Sequence, residues 1–237
     1  MNHKAVCLIS GGLDSCVTAF LAKKEGYDEL YAISFDYGQL HKQELSCAKK
    51  IAQAVGAKNH VLFFVDLKRF GGSSLLDKTF VFPQDRKVSE IGKGKIPSTY
   101  VPARNTVFLS LALGYAEVLD ADAIFLGAHA MDYSGYPDCR PEYLQAFQAM
   151  ANLATRRGVE GRPILIKAPI LHLTKAEIIK KGIELDVPFE YTWSCYQGKR
   201  KACGRCDSCL LRLKGFQEAG IDDPLSYEQY PNWYKKP

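Results

Sequence analysis

The sequence predicts an α/β fold, an open and mostly parallel sheet with helices on both faces, followed by a small cysteine-rich module. Three observations predict it. Short apolar runs alternate with longer helical patterns. A Gly-Gly turn lies at the first strand-to-helix junction. Four of the eight cysteines crowd into residues 195–209. In order, strand-like runs at residues 5–10, 30–35, 60–65 and 123–126 alternate with helical patterns at 15–24, 42–55 and 105–119, and a fifth strand at 164–167 precedes a helix at 174–182. Such alternation builds right-handed βαβ units around a sheet covered on both sides. Between Lys68 and Ala103 the pattern gives way to Gly, Ser, Lys and Pro, which predicts a long loop, either a lid, the favoured reading, or a disordered segment. The apolar periodicity lapses near Tyr191. The chain is therefore divided into residues 1–190, the α/β domain, and 191–237, the cysteine module packed on it.

At 237 residues, 47% apolar and 24% charged, the chain is long enough to bury a substantial core. Its net charge of +5 suits anionic small molecules as well as nucleic acid and does not choose between them. No run of eighteen apolar residues occurs, and the strand pattern that starts after Lys4 leaves no room for a signal peptide. The expectation is a cytoplasmic protein without a membrane partner.

The segment Ser10-Gly11-Gly12-Leu13-Asp14-Ser15 runs out of the first strand into the first helix. Gly11 and Gly12 are expected to turn with positive φ, so that successive N–H groups face an anion. Ser10 and Ser15 add hydroxyls, and the helix brings its positive end to the same point. It is not a Walker loop, because Gly94-Lys95-Ile96 and Gly198-Lys199-Arg200 both lack the required Ser or Thr and the upstream glycine.

Cys195, Cys203, Cys206 and Cys209 are spaced C-x7-C-x2-C-x2-C. Four thiolates in one stretch predict a closed tetrahedral zinc site, structural rather than catalytic. Lys199, Arg200, Lys201 and Arg205 offset its negative charge. Disulfides and an iron–sulfur cluster are the competing readings; the ferredoxin-type x3-C-Pro continuation is missing. Cys7, Cys16 and Cys47 fall in strand or helix patterns and read as core.

Beyond the fourth strand, the stretch 132–142 mixes aromatic rings, carboxylates and an arginine at the ligand edge of the sheet. Tyr133 or Tyr136 would stack on a planar heterocycle, and Asp132, Asp138 or Glu142 would accept the paired N–H donors of a guanine-like edge. A solvated Gly- and Pro-rich loop is the plain alternative.

The loop at residues 10–15 resembles the SGGxDS loop of the N-type ATP pyrophosphatases, the PP-loop family, whose members split ATP between its α and β phosphates. Together with Val101-Pro102-Ala103-Arg104-Asn105, the 132–142 stretch, Lys167-Ala168-Pro169 and the four-cysteine tail, it resembles the 7-cyano-7-deazaguanine synthase branch of that family over nearly the whole chain. The resemblance implies an adenine nucleotide alpha-hydrolase-like fold and an ATP-dependent ligase of queuosine biosynthesis. Such an enzyme converts 7-carboxy-7-deazaguanine and ammonia to the nitrile through adenylates and an amide. It also implies ATP binding at Leu8, Ile9, Ser10, Gly11, Gly12, Leu13, Asp14, Ser15, Cys16, Val17 and Thr18. Asp14 would help place Mg²⁺, Arg104 and Lys167 would neutralise phosphate or substrate carboxylate, residues 36–39 would border the adenine, and Tyr133, Tyr136, Asp132, Asp138, Arg140 and Glu142 would hold the deazapurine carboxylate. Cys139 is not required as a nucleophile, since adenylation needs none. The chain has no space for a glutaminase domain, so free ammonia is the expected nitrogen source. A homodimer without a stable nucleic-acid partner is expected. A PP-loop tRNA-thiolating enzyme and a zinc-containing nucleic-acid-binding module are the alternatives.

Overall fold

The computed structural model describes residues 3–40, 42–77, 79, 83–92, 96–129 and 136–237. Five parallel strands, β1 (Lys4–Leu8), β2 (Glu29–Asp36), β3 (Asn59–Phe64), β4 (Ala123–Phe125) and β5 (Leu165–Lys167), form one sheet in the order β3-β2-β1-β4-β5. The expected α/β class and all five strands are present. Seven α-helices are described: α1 (Leu13–Lys24), α2 (Gln43–Val55), α3 (Arg104–Val118), α4 (Pro141–Ala154), α5 (Arg156–Val159), α6 (Lys175–Glu184) and α7 (Asp207–Ala219).

The two faces of the sheet carry separate apolar layers. Val6, Ile33, Ile124, Leu109 and Phe147 build one with α3 and α4, whereas Cys7, Ala32, Phe125, Ile51, Ile178 and Phe216 build the other with α1, α2, α6 and α7. Side chains alternate across a strand, so β1 sends Val6 to one layer and Cys7 to the other, and both are buried. Phe216 belongs to the second layer, so α7 anchors the cysteine module directly in the α/β core. No helix of the described residues is long and apolar enough to cross a membrane.

The chain runs outward from β1 through β2 to β3, then crosses back to β4 on the other side of β1. That reversal opens a crevice beyond the carboxyl ends of β1 and β4, where a doubly wound sheet takes its ligand. The loop after β1 and the turn after β4 meet there. A Cβ on Gly127 would lie 2.9 Å from the Ser15 nitrogen and 3.0 Å from the Asp14 carbonyl carbon, so only glycine lets the β4 turn press against the start of α1.

The segment between Lys68 and Ala103 departs from the expected lid. Leu75 and Leu76 are buried in the first apolar layer. Farther along, Gln84 makes an antiparallel bridge to Cys206, Arg86 binds the Asp207 carboxylate at 2.8 and 3.1 Å, and Ile91 packs on Leu210 and Leu211. Its described residues thus form a strap tied to α7 and the cysteine module. Helices α4, α5 and α7 had no counterpart in the sequence reading.

Candidate active site

A cleft of about 290 Å³ occupies the crevice. Its floor is the loop after β1, where Leu8, Ile9, Ser10, Gly12, Leu13, Asp14 and Ser15 line it. Gly11 has φ +91°, and a Cβ there would collide with the Glu44 carbonyl oxygen at 2.0 Å, so this turn requires glycine. Gly12 does not share the positive φ expected of it: at φ −83° and ψ 163° it is extended and caps α1. The serine hydroxyls shape the loop, Ser15 Oγ donating to the Gly12 carbonyl at 3.0 Å and the Gly12 N–H donating to Ser10 Oγ at 3.2 Å. The first helical bond of α1 runs from Cys16 N to the Gly12 carbonyl, which leaves the Leu13, Asp14 and Ser15 amides without a partner inside the helix. Cys16, Val17 and Thr18, expected to continue the nucleotide site, are instead buried at 0–1% exposure behind it.

Asp14 faces a cation that the sequence reading did not single out. Lys175, the first residue of α6, donates to both Asp14 carboxylate oxygens at 2.7 and 2.8 Å. A capping box fixes that helix start, Thr174 and Glu177 each accepting the other's backbone N–H. The lysine stem lies across Gly215 of α7, where a Cβ would meet Lys175 Cγ at 2.4 Å. Burial raises the Asp14 carboxyl, but Lys175, with His129 and Arg212 adding, outweighs burial and holds it below the ordinary carboxylate value. His129, in the turn after β4, donates from Nε2 to the Leu173 carbonyl at 2.6 Å and so ties that turn to the approach of α6.

Arg104 lines the opposite wall at the start of α3. Its Nη1 donates to the Tyr37 hydroxyl at 3.3 Å and its guanidinium lies 5.6 Å from the Tyr37 ring centroid. Burial opposes its charge, but Tyr37, Tyr136, Cys139 and Asp138 outweigh it, so Arg104 remains a cation. Phe35 and Phe108 stack at 4.0 Å, and with Tyr37 and Tyr136 they give the cleft flat apolar walls. Cys139 also lines the cleft, but burial pushes its thiol up to about 11, which fits a neutral thiol rather than a nucleophile.

Several expected site residues lie elsewhere. The Asp138 carboxylate accepts the Asn105 N–H at 2.9 Å and so serves the exposed amides at the start of α3. Arg140 is exposed at the start of α4 with Nε on the Pro137 carbonyl, and Glu142 is exposed in the first turn of that helix. Their sequence proximity to Tyr136 misleads because the chain turns there into α4. Lys167 does not face the cleft: its Nζ binds Glu25 at 2.6 Å, beyond the far end of α1, over the Tyr27 and Phe125 rings. Asp132 and Tyr133 lie outside the described residues.

The cysteine module supplies the third wall. Trp193, Ser194, Tyr196, Ser208, Leu211 and Arg212 all line the cleft. The Trp193 N–H donates to the Gly11 carbonyl at 2.8 Å, and its indole N–H donates to the Cys195 carbonyl at 2.9 Å. Arg212, 2% exposed, binds the 1% exposed Asp223 at 2.7 and 2.9 Å and donates to Thr192 Oγ1 at 2.7 Å. The four buried sulfurs of Cys195, Cys203, Cys206 and Cys209 lie within 4.8 Å of one another, an arrangement fit for one metal ion. Backbone N–H groups of Gln197 and Cys203 point at the Cys195 sulfur, and those of Arg205 and Cys206 at the Cys203 sulfur, at 3.3–3.4 Å, favouring the thiolate form of these two. Of the expected charge-offsetting residues, Arg205 pairs with Asp85 and Lys199 with Glu228.

The chain that builds this cleft is similar over nearly its whole length to known proteins. A 7-cyano-7-deazaguanine synthase of Saccharophagus degradans is 54% identical over 228 residues, 95% of this chain and 98% of that protein. Another from Geobacter sp. strain M21 is 55% identical over 97% of this chain and all of that protein, and one from Desulfatibacillum aliphaticivorans is 56% identical over 95% and 97%. Residues 4–220 match the family described as queuosine biosynthesis protein QueC, a span that takes in the loop, Lys175 and all four cysteines. The chain belongs to that family.

Proposed function

We propose that the protein makes 7-cyano-7-deazaguanine from 7-carboxy-7-deazaguanine, ammonia and two molecules of ATP. The observation that carries this reading is the glycine turn at the sheet's switch point, with unpaired helix-start amides beside Lys175. Those groups suit the β and γ phosphates of ATP as they leave as pyrophosphate. The substrate carboxylate oxygen attacks the α phosphorus, and pyrophosphate departs. Ammonia then adds to the activated carbonyl, releasing AMP and a proton and leaving the amide. The amide oxygen attacks a second ATP in the same way, and loss of AMP and a proton from the adenylated imidate gives the nitrile. Each activation turns a poor leaving group into AMP, so the protein need only position groups and stabilise charge.

In this scheme Lys175 follows the charge developing on the phosphates, and Arg104 holds the substrate carboxylate or the α phosphate. Magnesium accompanies the nucleotide, with Asp14 the carboxylate placed to share it. The metal of the cysteine site is zinc. Zn–S bonds of about 2.3 Å in a tetrahedron put sulfurs about 3.8 Å apart, and Cys203 and Cys209 have their sulfurs 3.9 Å apart. In a [4Fe–4S] cluster each thiolate sits on a different iron, which spreads them wider. With all four ligands from protein the zinc takes no part in the reaction and braces the wall.

Incubating the protein with ammonium, ATP and 7-carboxy-7-deazaguanine is expected to give the nitrile by mass spectrometry, with two AMP per product. Product formed only with glutamine, or no AMP, overturns the proposal. Asp14→Ala is expected to stop AMP release at unchanged zinc content. A homodimer is expected, and light scattering that returned the monomer mass would contradict it.

A further inference from the structure

Glu44, in the first turn of α2, is a cleft carboxylate for which the reaction above has no use. Among the described residues its carboxyl makes no hydrogen bond and no ion pair, although Arg104 is near enough to influence it. Arg104 is held on Tyr37 instead. Among the described residues the other carboxylate lining the cleft, Asp14, has both oxygens on Lys175, and Asp138 and Glu142 are directed elsewhere. Glu44 therefore waits for a donor that no described residue supplies. It waits beside flat aromatic walls, with its position fixed by the contact of its backbone against Gly11.

Two bases would enter this cleft, and they differ in what they offer a carboxylate. The Watson–Crick edge of adenine gives one N–H group next to a lone pair, which a carboxylate repels. A 2-amino-pyrimidinone ring, as in deazaguanine, offers N1–H and N2–H side by side, the pair that two carboxylate oxygens accept together. We propose that Glu44 reads the deazaguanine base by accepting N1–H and N2–H, and so determines the enzyme's choice of base. This rests on the function proposed above. Burial raises the Glu44 carboxyl to about 7, as befits a desolvated acceptor lacking its donors. Bound base would supply those donors and restore the ionised form.

Titration calorimetry with 7-cyano-7-deazaguanine and its counterpart lacking the 2-amino group tests the proposal. Wild type is expected to prefer the amino base by about 10- to 100-fold, the usual discrimination of a bidentate pair. Glu44→Gln is expected to lose that preference by binding the amino base more weakly, while its affinity for ATP and its KM for ammonium stay within about threefold. Retained preference in Glu44→Gln overturns the proposal. So does a loss confined to ATP, which would assign Glu44 to adenine, or one confined to ammonium, which would assign it to ammonia. Should the variant not fold, nitrogen-15-labelled base bound to wild type decides: N1–H and N2–H resonances move downfield if Glu44 accepts them, and unmoved resonances refute it. Nitrile synthesis by wild type, measured alongside, separates failure of this inference from failure of the proposed reaction.

Discussion

Replacing Lys175 by Met removes the cation that the cleft places against its loop. Lys175 is 14% exposed and Asp14 31%, and the two are joined at 2.7 Å. Two unit charges about 4 Å apart at an effective dielectric of about 20 interact by about 4 kcal/mol, an upper bound for a pair that solvent still reaches. The measured cost of losing a charged hydrogen bond is smaller, about 1.5–3 kcal/mol. Lys175→Met therefore weakens magnesium ATP binding or slows AMP formation roughly 10- to 150-fold. Its partner changes too. Without Lys175, burial is the dominant influence on Asp14, so the carboxyl rises from its depressed value. A depressed carboxyl stabilises the fold above its unfolded value and loses that stabilisation as pH falls through the folded one. The stability advantage of wild type over Lys175→Met should thus shrink on acidification below about pH 4. The assay is calorimetric ATP binding with a coupled AMP readout, on Lys175→Met, Asp14→Asn and the double variant. Binding and AMP formation within threefold of wild type in Lys175→Met would refute the assignment, as would strict additivity in the double variant.

Arg212→Met leaves the Asp223 carboxylate buried, with the Tyr227 hydroxyl and the Leu225 N–H as its remaining partners. The expected destabilisation is about 3–5 kcal/mol, read in urea unfolding, and a loss below 1 kcal/mol contradicts it. Lys167→Ala should leave AMP formation within twofold of wild type and cost no more than about 1 kcal/mol of stability, because its partner is Glu25 on the surface. Glu44 titrates in sight of Arg104, Tyr37 and Cys47. Its raised folded value means ligand-free protein binds a proton that the unfolded chain releases earlier, so its contribution declines as pH rises from about 4.3 through about 7. The Tm difference between wild type and Glu44→Gln should fall across that window and flatten above it; a flat difference throughout counts against a buried carboxyl.

The strands were legible because a buried parallel sheet demands unbroken apolar runs, and Ala5, Leu30 and Ala123 each begin one. The loop was legible because Gly11 meets a steric requirement that no other residue satisfies. Lys175 and Arg212 were not. Lys175 opens an ordinary amphipathic helix and Arg212 sits on a largely buried one, both far along the chain, and only the fold of the sheet brings α6 and α7 over the loop. Asp138 shows the opposite error. A carboxylate two residues from the cleft-lining Tyr136 looked like a ligand, whereas the start of α3, whose N–H groups have no helical partner, takes it as an acceptor.

The four-cysteine site is bound up with the geometry of the cleft. Cys195 lies two residues from Trp193, whose N–H holds the Gly11 carbonyl. That bond turns the carbonyl away from the anion site and leaves the loop's amides to face it. Cys206 caps α7, the helix that carries Arg212 and the Gly215 groove for the Lys175 stem. The strap reaches the same helix start through Arg86 and Asp207. A helix of 13 residues is marginal alone, so closing its N-terminus with a metal knot fixes where Lys175 and Arg212 point. A metal held there would thus organise the glycine loop from a distance, which accounts for a sequence that places its cysteines at the far end of the chain from that loop.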